Sequence, residues 1–376
     1  MNSRSNSFKI AVFEGDGIGP EITRPTMEIL KSASSNYHGF SLDFEILPAG
    51  AGHYRDTGSA LPKESMDQAR AADAILLSAI GLPDVRYEDG TEIRPQVDLR
   101  FDLGLYAGVR PVKVFPGANC PLSDPRAKDI DFVLVRESTE GLFAHMHDGK
   151  VVDDQYATET LRITRDTSEK LFDFSFSLAQ QRASEKGRPG KVTCVDKANI
   201  FRSFWFFRSI FEERAKLFPD VAADAAYVDA MAMWMVQRPW EFDVLVTENM
   251  FGDILSDLGA GIMGSLGLAP SADIGNDHAV FQPCHGSAPD IAGQGIANPL
   301  AMILSAGMML TWLGHQNASQ QMIDCGQSID DAVTHVLAQK KGLTRDLGGQ
   351  LRTEECAIAV LDAFQSDGSE GTREAS

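Results

Sequence analysis

The sequence predicts an α/β fold with helices packed on a sheet. Three observations carry that expectation. Short apolar runs rich in Val, Ile, Leu or Phe alternate with stretches of helical periodicity. The runs are followed by Gly, Asp, Glu or Asn, the residues that end strands. The chain has 376 residues, enough for two domains or one large one with a sizeable core.

In chain order, Phe8–Phe13 reads as the first strand, and Pro20–Ser34 as a helix opening on a proline suited to the first turn. Ala74–Ala79 and Phe132–Val135 read as strands. Ser168–Lys186 reads as a helix, Lys186–Lys191 (KGRPGK) as a surface loop and Val192–Val195 as the next strand. Arg202–Lys216 is helical in pattern, and Phe242–Val246 is a strand. Leu300–Leu313 is the longest largely apolar stretch. It is shorter than the roughly 18–20 residues of a membrane span and is interrupted by Ser305, Gly307 and Thr311, so a buried helix is expected. The tail from Ser366 has almost no apolar residues and is expected to be disordered. No internal repeat of fixed period is present.

Lys and Arg number 34 against 53 Asp and Glu, a formal charge of −19 that argues against a nucleic-acid partner. With 43% hydrophobic and 23% charged residues the composition is that of a soluble globular protein. The N-terminal run MNSRSNSFKIAVF has no apolar segment suited to a signal peptide. The five cysteines are odd in number, widely spread and without a CxxC pair, so reduced thiols in a cytoplasm are expected.

The one GxGxxG match, Gly259–Gly264, follows an acidic segment instead of a strand and lacks the context of a dinucleotide fingerprint. Glu14–Glu21 (EGDGIGPE) joins a strand to a helix with three glycines, suited either to close approach by a ligand or to a tight turn. Asp253 and Asp257 in FGDILSD are four apart, which sets both carboxylates on one helix face. Such a pair invites Mg²⁺ or Mn²⁺; the alternative is a solvated face. Asp229 lies in the apolar stretch YVDAMAMWMV, where an unpaired charge is costly, and is a candidate third carboxylate. Arg100, Arg110 and Arg136 form either a carboxylate-binding cluster or three separate surface salt bridges. Cys284–Pro299 is a long polar loop with a histidine, a form of loop that more often binds than merely connects.

Together these segments resemble the β-decarboxylating dehydrogenases, which include isopropylmalate, isocitrate, homoisocitrate, tartrate and D-malate dehydrogenases. GDGIGPE, the Arg100/Arg110 pair, RESTEG, VDKAN, YVDAMAM, FGDILSD, SLGLAPSA and HGSAPDIAGQGIANP occur in family order and cover the chain to about Gly314, with isopropylmalate dehydrogenase the closest in wording. The resemblance implies a two-domain α/β fold with mixed sheets that is not a Rossmann fold. Residues 1–105 with 265–376 would form a discontinuous cofactor domain. Residues 106–264 would form the dimerisation and metal/substrate domain, with an arm near 136–160.

By the same resemblance, Arg100, Arg110, Arg136 and Asn199 would bind a 2-hydroxy dicarboxylate. Lys197 and Asp229 would be catalytic and would reach in from the other subunit of a homodimer. Asp253 and Asp257 with Asp229 would hold Mg²⁺ or Mn²⁺. Ile18, Gly267, His285, Gly286, Ser287, Ala288, Asp290 and Asn298 would bind NAD, Asp290 on the adenosine ribose. The implied activity is NAD-dependent oxidative decarboxylation, with 3-isopropylmalate as first substrate. A D-malate or tartrate enzyme, and a non-catalytic regulatory subunit, are the alternatives.

The chain departs from the family pattern at several positions. Phe143 stands where the family has a tyrosine, Gln282 where it has a glutamate and Gly108 where it has an asparagine. The segment between Pro95 and Arg100 is short and offers Val97 and Asp98 where leucines are usual. Either His145 or His147 could replace the lost phenol as proton donor, although exposed arm residues are the preferred reading of both.

Overall fold

A computed structural model describes residues 7–37 and 39–371. The strands are β1 (Ser7–Phe13), β2 (Ser41–Ile46), β3 (Ala74–Leu77), β4 (Ala107–Lys113), β5 (Asp131–Glu137), β6 (Lys150–Val152), β7 (Tyr156–Thr158), β8 (Lys191–Asp196), β9 (Ala222–Tyr227), β10 (Val244–Thr247), β11 (Pro270–Ile274) and β12 (Ala279–Pro283). All but β6 and β7 join one ten-stranded sheet in the order β2-β1-β3-β12-β11-β4-β5-β10-β8-β9. The flanks are parallel, whereas β12/β11, β11/β4 and β4/β5 are antiparallel. The mixed α/β class is therefore as expected, and the topology is not that of a Rossmann sheet.

β3, β10, β11 and β12 are buried along their whole length because helices cover the sheet. The apolar Leu300–Gln316 helix packs on β11 and β12 and is buried on nearly every side, which explains a stretch with little amphipathic contrast. The Asn249–Met263 helix packs on β4 and β5. The Glu248 carboxylate caps it by accepting from Met250 N and Phe251 N, and Gly264 ends it at φ +101°. Gly259–Gly264 is thus the last turns of a helix and its cap.

The first helix, Gly19–Asn36, opens on Pro20 as expected. Arg165–Lys186 ends at Gly187 with φ +61°, which turns KGRPGK out as a loop. The expectation for the tail is corrected in part: the helix Thr353–Gly371 runs through Ser366, continuing from a buried segment that includes Cys356, Val360 and Phe364. Residues 372–376 and the first six residues of the N-terminal run lie outside the described residues. All five cysteines are free. No helix among the described residues is long and apolar enough to cross a membrane.

Candidate active site

Arg110 sits on β4 and Arg136 on β5, adjacent antiparallel strands in the middle of the sheet. Arg100 comes from the helix Pro95–Asp102. All three line one cavity of about 190 Å³, and Asp253 and Asp257 line it with them. The arginines are therefore a cluster, not separate surface pairs. Gly252 lets the Asn249–Met263 helix cross Arg136, because a Cβ there would stand 2.5 Å from Arg136 Cγ.

Each guanidinium is held from behind. Asn249 Oδ1 accepts from Arg136 Nε at 3.2 Å and Nη2 at 2.6 Å. Arg136 Nη1 donates to Asp253. Burial, then the charges of Arg100 and Arg110, bring the Arg136 pKa down to about 10, with Asp253 acting the other way. Arg110 and Arg100 both donate to Asp273 on β11. The Phe143 ring lies 5.8 Å from the Arg136 guanidinium carbon, so the position expected to carry a phenol borders this site without a hydroxyl.

Asp253 and Asp257 fit a hard divalent cation. Both are carboxylates at the cavity, and Asp257 is pushed above its ordinary pKa by partial burial and then by the charge of Asp253. Among the described residues of one chain, no three His, Cys, Asp or Glu side chains converge as a metal site. Asp229 stands apart and pairs with Lys197 at 2.8 Å, and neither residue lines the cavity. Asn199 is exposed.

The expected cofactor residues gather at two neighbouring places. Ile18 N donates to Ser287 O at 2.9 Å, and Gly17, at φ +58°, lies so close that a Cβ would overlap that carbonyl. The Glu21 carboxylate accepts from Gly293 N and Gly295 N, tying the first helix to the Cys284–Pro299 loop. Gly267 packs against Asn298, whose amide donates to Asp346 at 2.9 Å. Ala288 holds φ +38°, a left-handed conformation unusual for alanine, while Gly286 and Asp290 are exposed on the same loop. His285 lines the arginine cavity, and burial lowers its pKa. Its Nε2 is buried without a partner, as fits a ring nitrogen awaiting a cofactor group.

Three residues of the site escaped the sequence reading: Asn249, Asp273 and Gln96. Gln96, not Val97 or Asp98, lines the cavity, and its Oε1 is buried and unpartnered. Val97 is turned into the core, and Asp98 faces the Phe143–His147 surface. His145 pairs with Asp148 at 2.7 Å, and neither it nor His147 lines the cavity.

Residues 9–360 match the isocitrate/isopropylmalate dehydrogenase family. The 3-isopropylmalate/3-methylmalate dehydrogenase of Methanocaldococcus jannaschii is 43% identical over 361 residues, covering 96% of this chain and 99% of that protein. The 3-isopropylmalate dehydrogenase of Bacillus licheniformis is 42% identical over 373 residues, covering 96% of each. The crystal structure of isocitrate dehydrogenase from Methylococcus capsulatus superposes with a TM-score of 0.81 at 37% identity, covering 95% of this chain and 99% of that one. With the family matched over nearly its whole length, the chain belongs to the isocitrate/isopropylmalate dehydrogenases and is a decarboxylating hydroxy-acid dehydrogenase.

Proposed function

We propose that this enzyme oxidises and decarboxylates a 2-hydroxy dicarboxylic acid, with NAD as acceptor and Mg²⁺ or Mn²⁺ as cofactor, and that 3-isopropylmalate is its substrate. The observation that carries the reading is the gathering of Arg100, Arg110 and Arg136 with Asp253 and Asp257 at one cavity. Two guanidinium forks grip one carboxylate and the third steadies the other. Asp253 and Asp257 hold the cation, which when bound supplies the Lewis acidity that eases loss of the hydroxyl proton and of CO₂. The Gly17, Ser287, Gly267 and Asn298 cradle, with His285, Gly286, Ala288 and Asp290, would hold NAD, which when bound would supply the hydride acceptor for the oxidation.

Lys197 and Asp229 act from a second copy of the chain, with Asn199 beside the lysine. Their distance from the cavity in one chain supports this, as does an exposed apolar face around them. Trp205 and Ile254 are each 63% exposed, with Ile200 and Met233 exposed nearby. Ile254 follows Asp253 on the helix that carries both metal-site aspartates, so the exposed face borders the place read as the cation site. Among the described residues the small β6–β7 hairpin pairs with no other strand, and it suits an arm between copies. The two halves of the sheet, split between β11 and β4, are read as the cofactor domain (1–105 with 265–376) and the dimerisation domain (106–264). The free thiols support a cytoplasmic setting.

Gln96 favours a second reading. A buried carboxamide oxygen at the cavity suits a small or polar group on C3, as in D-malate or tartrate, better than a branched alkyl group. The test is a panel of 2-hydroxy dicarboxylates with Mn²⁺ and NAD, following NADH and CO₂ separately. NADH and CO₂ from 3-isopropylmalate are expected. Turnover of D-malate or tartrate alone selects the second reading, and no turnover of any member refutes both.

A further inference from the structure

Asp16 is buried in the turn between β1 and the first helix and does not line the arginine cavity. Its carboxylate accepts three backbone N–H groups from two other segments. Oδ2 accepts from Ala51 N at 2.8 Å and Gly81 N at 2.9 Å, and Oδ1 from Gly52 N at 2.8 Å. Asp16 N in turn donates to Ala79 O at 2.8 Å.

The Gly81 peptide carries the connection onward. Gly81 O accepts from Ser287 Oγ, and Ser287 O accepts from Ile18 N at 2.9 Å. These bonds close a ring through residues 16–18, 81 and 287. The backbones at the ring are in close contact. A Cβ on Gly15 would stand 2.1 Å from Ala79 O, and one on Gly17 2.0 Å from Ser287 O. The glycines of Glu14–Glu21 thus serve the meeting of three chain segments. Ala288, next to Ser287, is held at φ +38°. Such strain persists only where the surroundings over-determine it, and the ring is that constraint.

The two segments joined to Asp16 are walls of one cavity. Ser78, Ala79 and Ile80 line the arginine cavity from one, and Cys284, His285 and Gly286 from the other. The arginines have separate anchors in Asn249 and Asp273. Loss of the ring therefore leaves the carboxylate-binding charges in place and frees the walls to shift against each other. A misplacement of about 1 Å can cost roughly 10²-fold in rate.

We infer that Asp16 is a positioning residue: through Gly81 and Ser287 it holds the 78–81 wall in register with the 284–288 wall, and so governs the rate of hydride transfer without contributing to substrate affinity. The consequence for rate rests on the dehydrogenase reading proposed above. The experiment compares Asp16→Ala, Ser287→Ala and the double variant in two arms. The first arm is amide hydrogen exchange of the protein without ligands. Asp16 makes no hydrogen bond to residues 284–291, so exchange there that is faster in Asp16→Ala by about fivefold or more is expected only if the ring transmits the restraint. Unchanged exchange there overturns the inference.

The second arm is turnover of 3-isopropylmalate deuterated at C2. In Asp16→Ala kcat is expected to fall roughly tenfold or more, with an isotope effect at least as large as in wild type. The calorimetric dissociation constant of the substrate with Mn²⁺ should stay within about threefold of wild type. A loss confined to affinity, or an isotope effect that falls to unity, overturns the inference. Both side chains act through Gly81, so the double variant should lose no more than about threefold beyond the worse single variant; losses that multiply overturn it. Asp16 also holds the first turn of the Ala51–Thr57 helix. Should Asp16→Ala fail to fold, Ser287→Ala, which leaves that helix untouched, decides by exchange at residues 79–81. About fivefold faster exchange is expected there, and no change overturns the inference. A wild type that turns over no dicarboxylate refutes the proposed function alone; the exchange arm needs no substrate and still decides the positioning.

Discussion

Replacing Asn249 by aspartate changes the charge behind Arg136 and almost nothing else. Asn249 is buried, and its Oδ1 already accepts two N–H groups of the guanidinium. Aspartate keeps that grip. It also stands at the first residue of a helix, where a negative charge is favourable, so the variant should fold. The cost falls on the ligand. The new charge lies 2.6 Å from Arg136 Nη2. A substrate carboxylate on the far side of the fork then sits ~7–8 Å from it, and at an effective dielectric of ~20 the two repel by about 2 kcal/mol. That is roughly 40-fold in dissociation constant. Calorimetric titration of 3-isopropylmalate with Mn²⁺ should show this weakening, beside a melting temperature no lower than wild type. Binding within threefold of wild type would refute the idea that Arg136 delivers its charge to the substrate.

Other outcomes follow from the same geometry. Asp253→Asn, or exhaustive chelation of the wild type, should nearly abolish turnover; undiminished NADH formation after chelation would show that no cation is needed. If the Cys284–Pro299 loop takes the adenosine half of the cofactor, Asp290 should repel a 2′-phosphate and give NAD at least a tenfold advantage in kcat/KM, about 1.4 kcal/mol; equal values for NAD and NADP would contradict it. Phe143→Tyr should leave the pre-steady-state NADH burst intact while altering CO₂ release or enol protonation, since a general acid contributes about 10²–10⁴-fold. A changed burst with unchanged later steps would remove Phe143 from that role. Burial raises the Glu137 carboxyl to about 7, against its hydrogen bonds from Thr139 and Glu140. Only the folded state then keeps that proton as pH rises from about 4.5 to about 7, so stability should fall across that window relative to Glu137→Gln. Parallel pH–stability curves for the two proteins would rule this out.

The sequence reading reached most of the arginine cavity because its parts are marked locally. Arg136 closes an apolar strand, and the spacing of Asp253 and Asp257 declares a helix face. What it missed depends on distant pairing. Asp273 joins the site because β11 lies against β4, with Asp273 opposite Gly108. No local pattern announces that register, although a carboxylate in PSADIG, within a fully buried strand, was a clue of the kind that Asp229 supplied. β4 itself was hidden: AGVRPVK carries Pro111 and two cations inside a sheet, against the usual habits of strands. Gln96 was passed over because a short helix begins at Pro95, and only its placement shows which of residues 96, 97 and 98 faces the cavity. The tail misled because its composition is polar, while the helix that carries it is anchored upstream.

The strand order also bears on how the chain is made. β1, β2 and β3 leave the ribosome early and can pair at once, but the other side of β3 belongs to β12, roughly 200 residues later. At about 5–20 residues per second, that edge waits ~10–40 s for its neighbour. It carries Ala-Ile-Leu-Leu, every residue of which is buried in the finished sheet. During that interval the nascent chain offers an unsatisfied apolar edge of the kind that recruits other chains. Ribosome-bound chains truncated before β12 should therefore lean on chaperones, and slowing translation of the middle of the message should lower soluble yield more than slowing its last hundred codons.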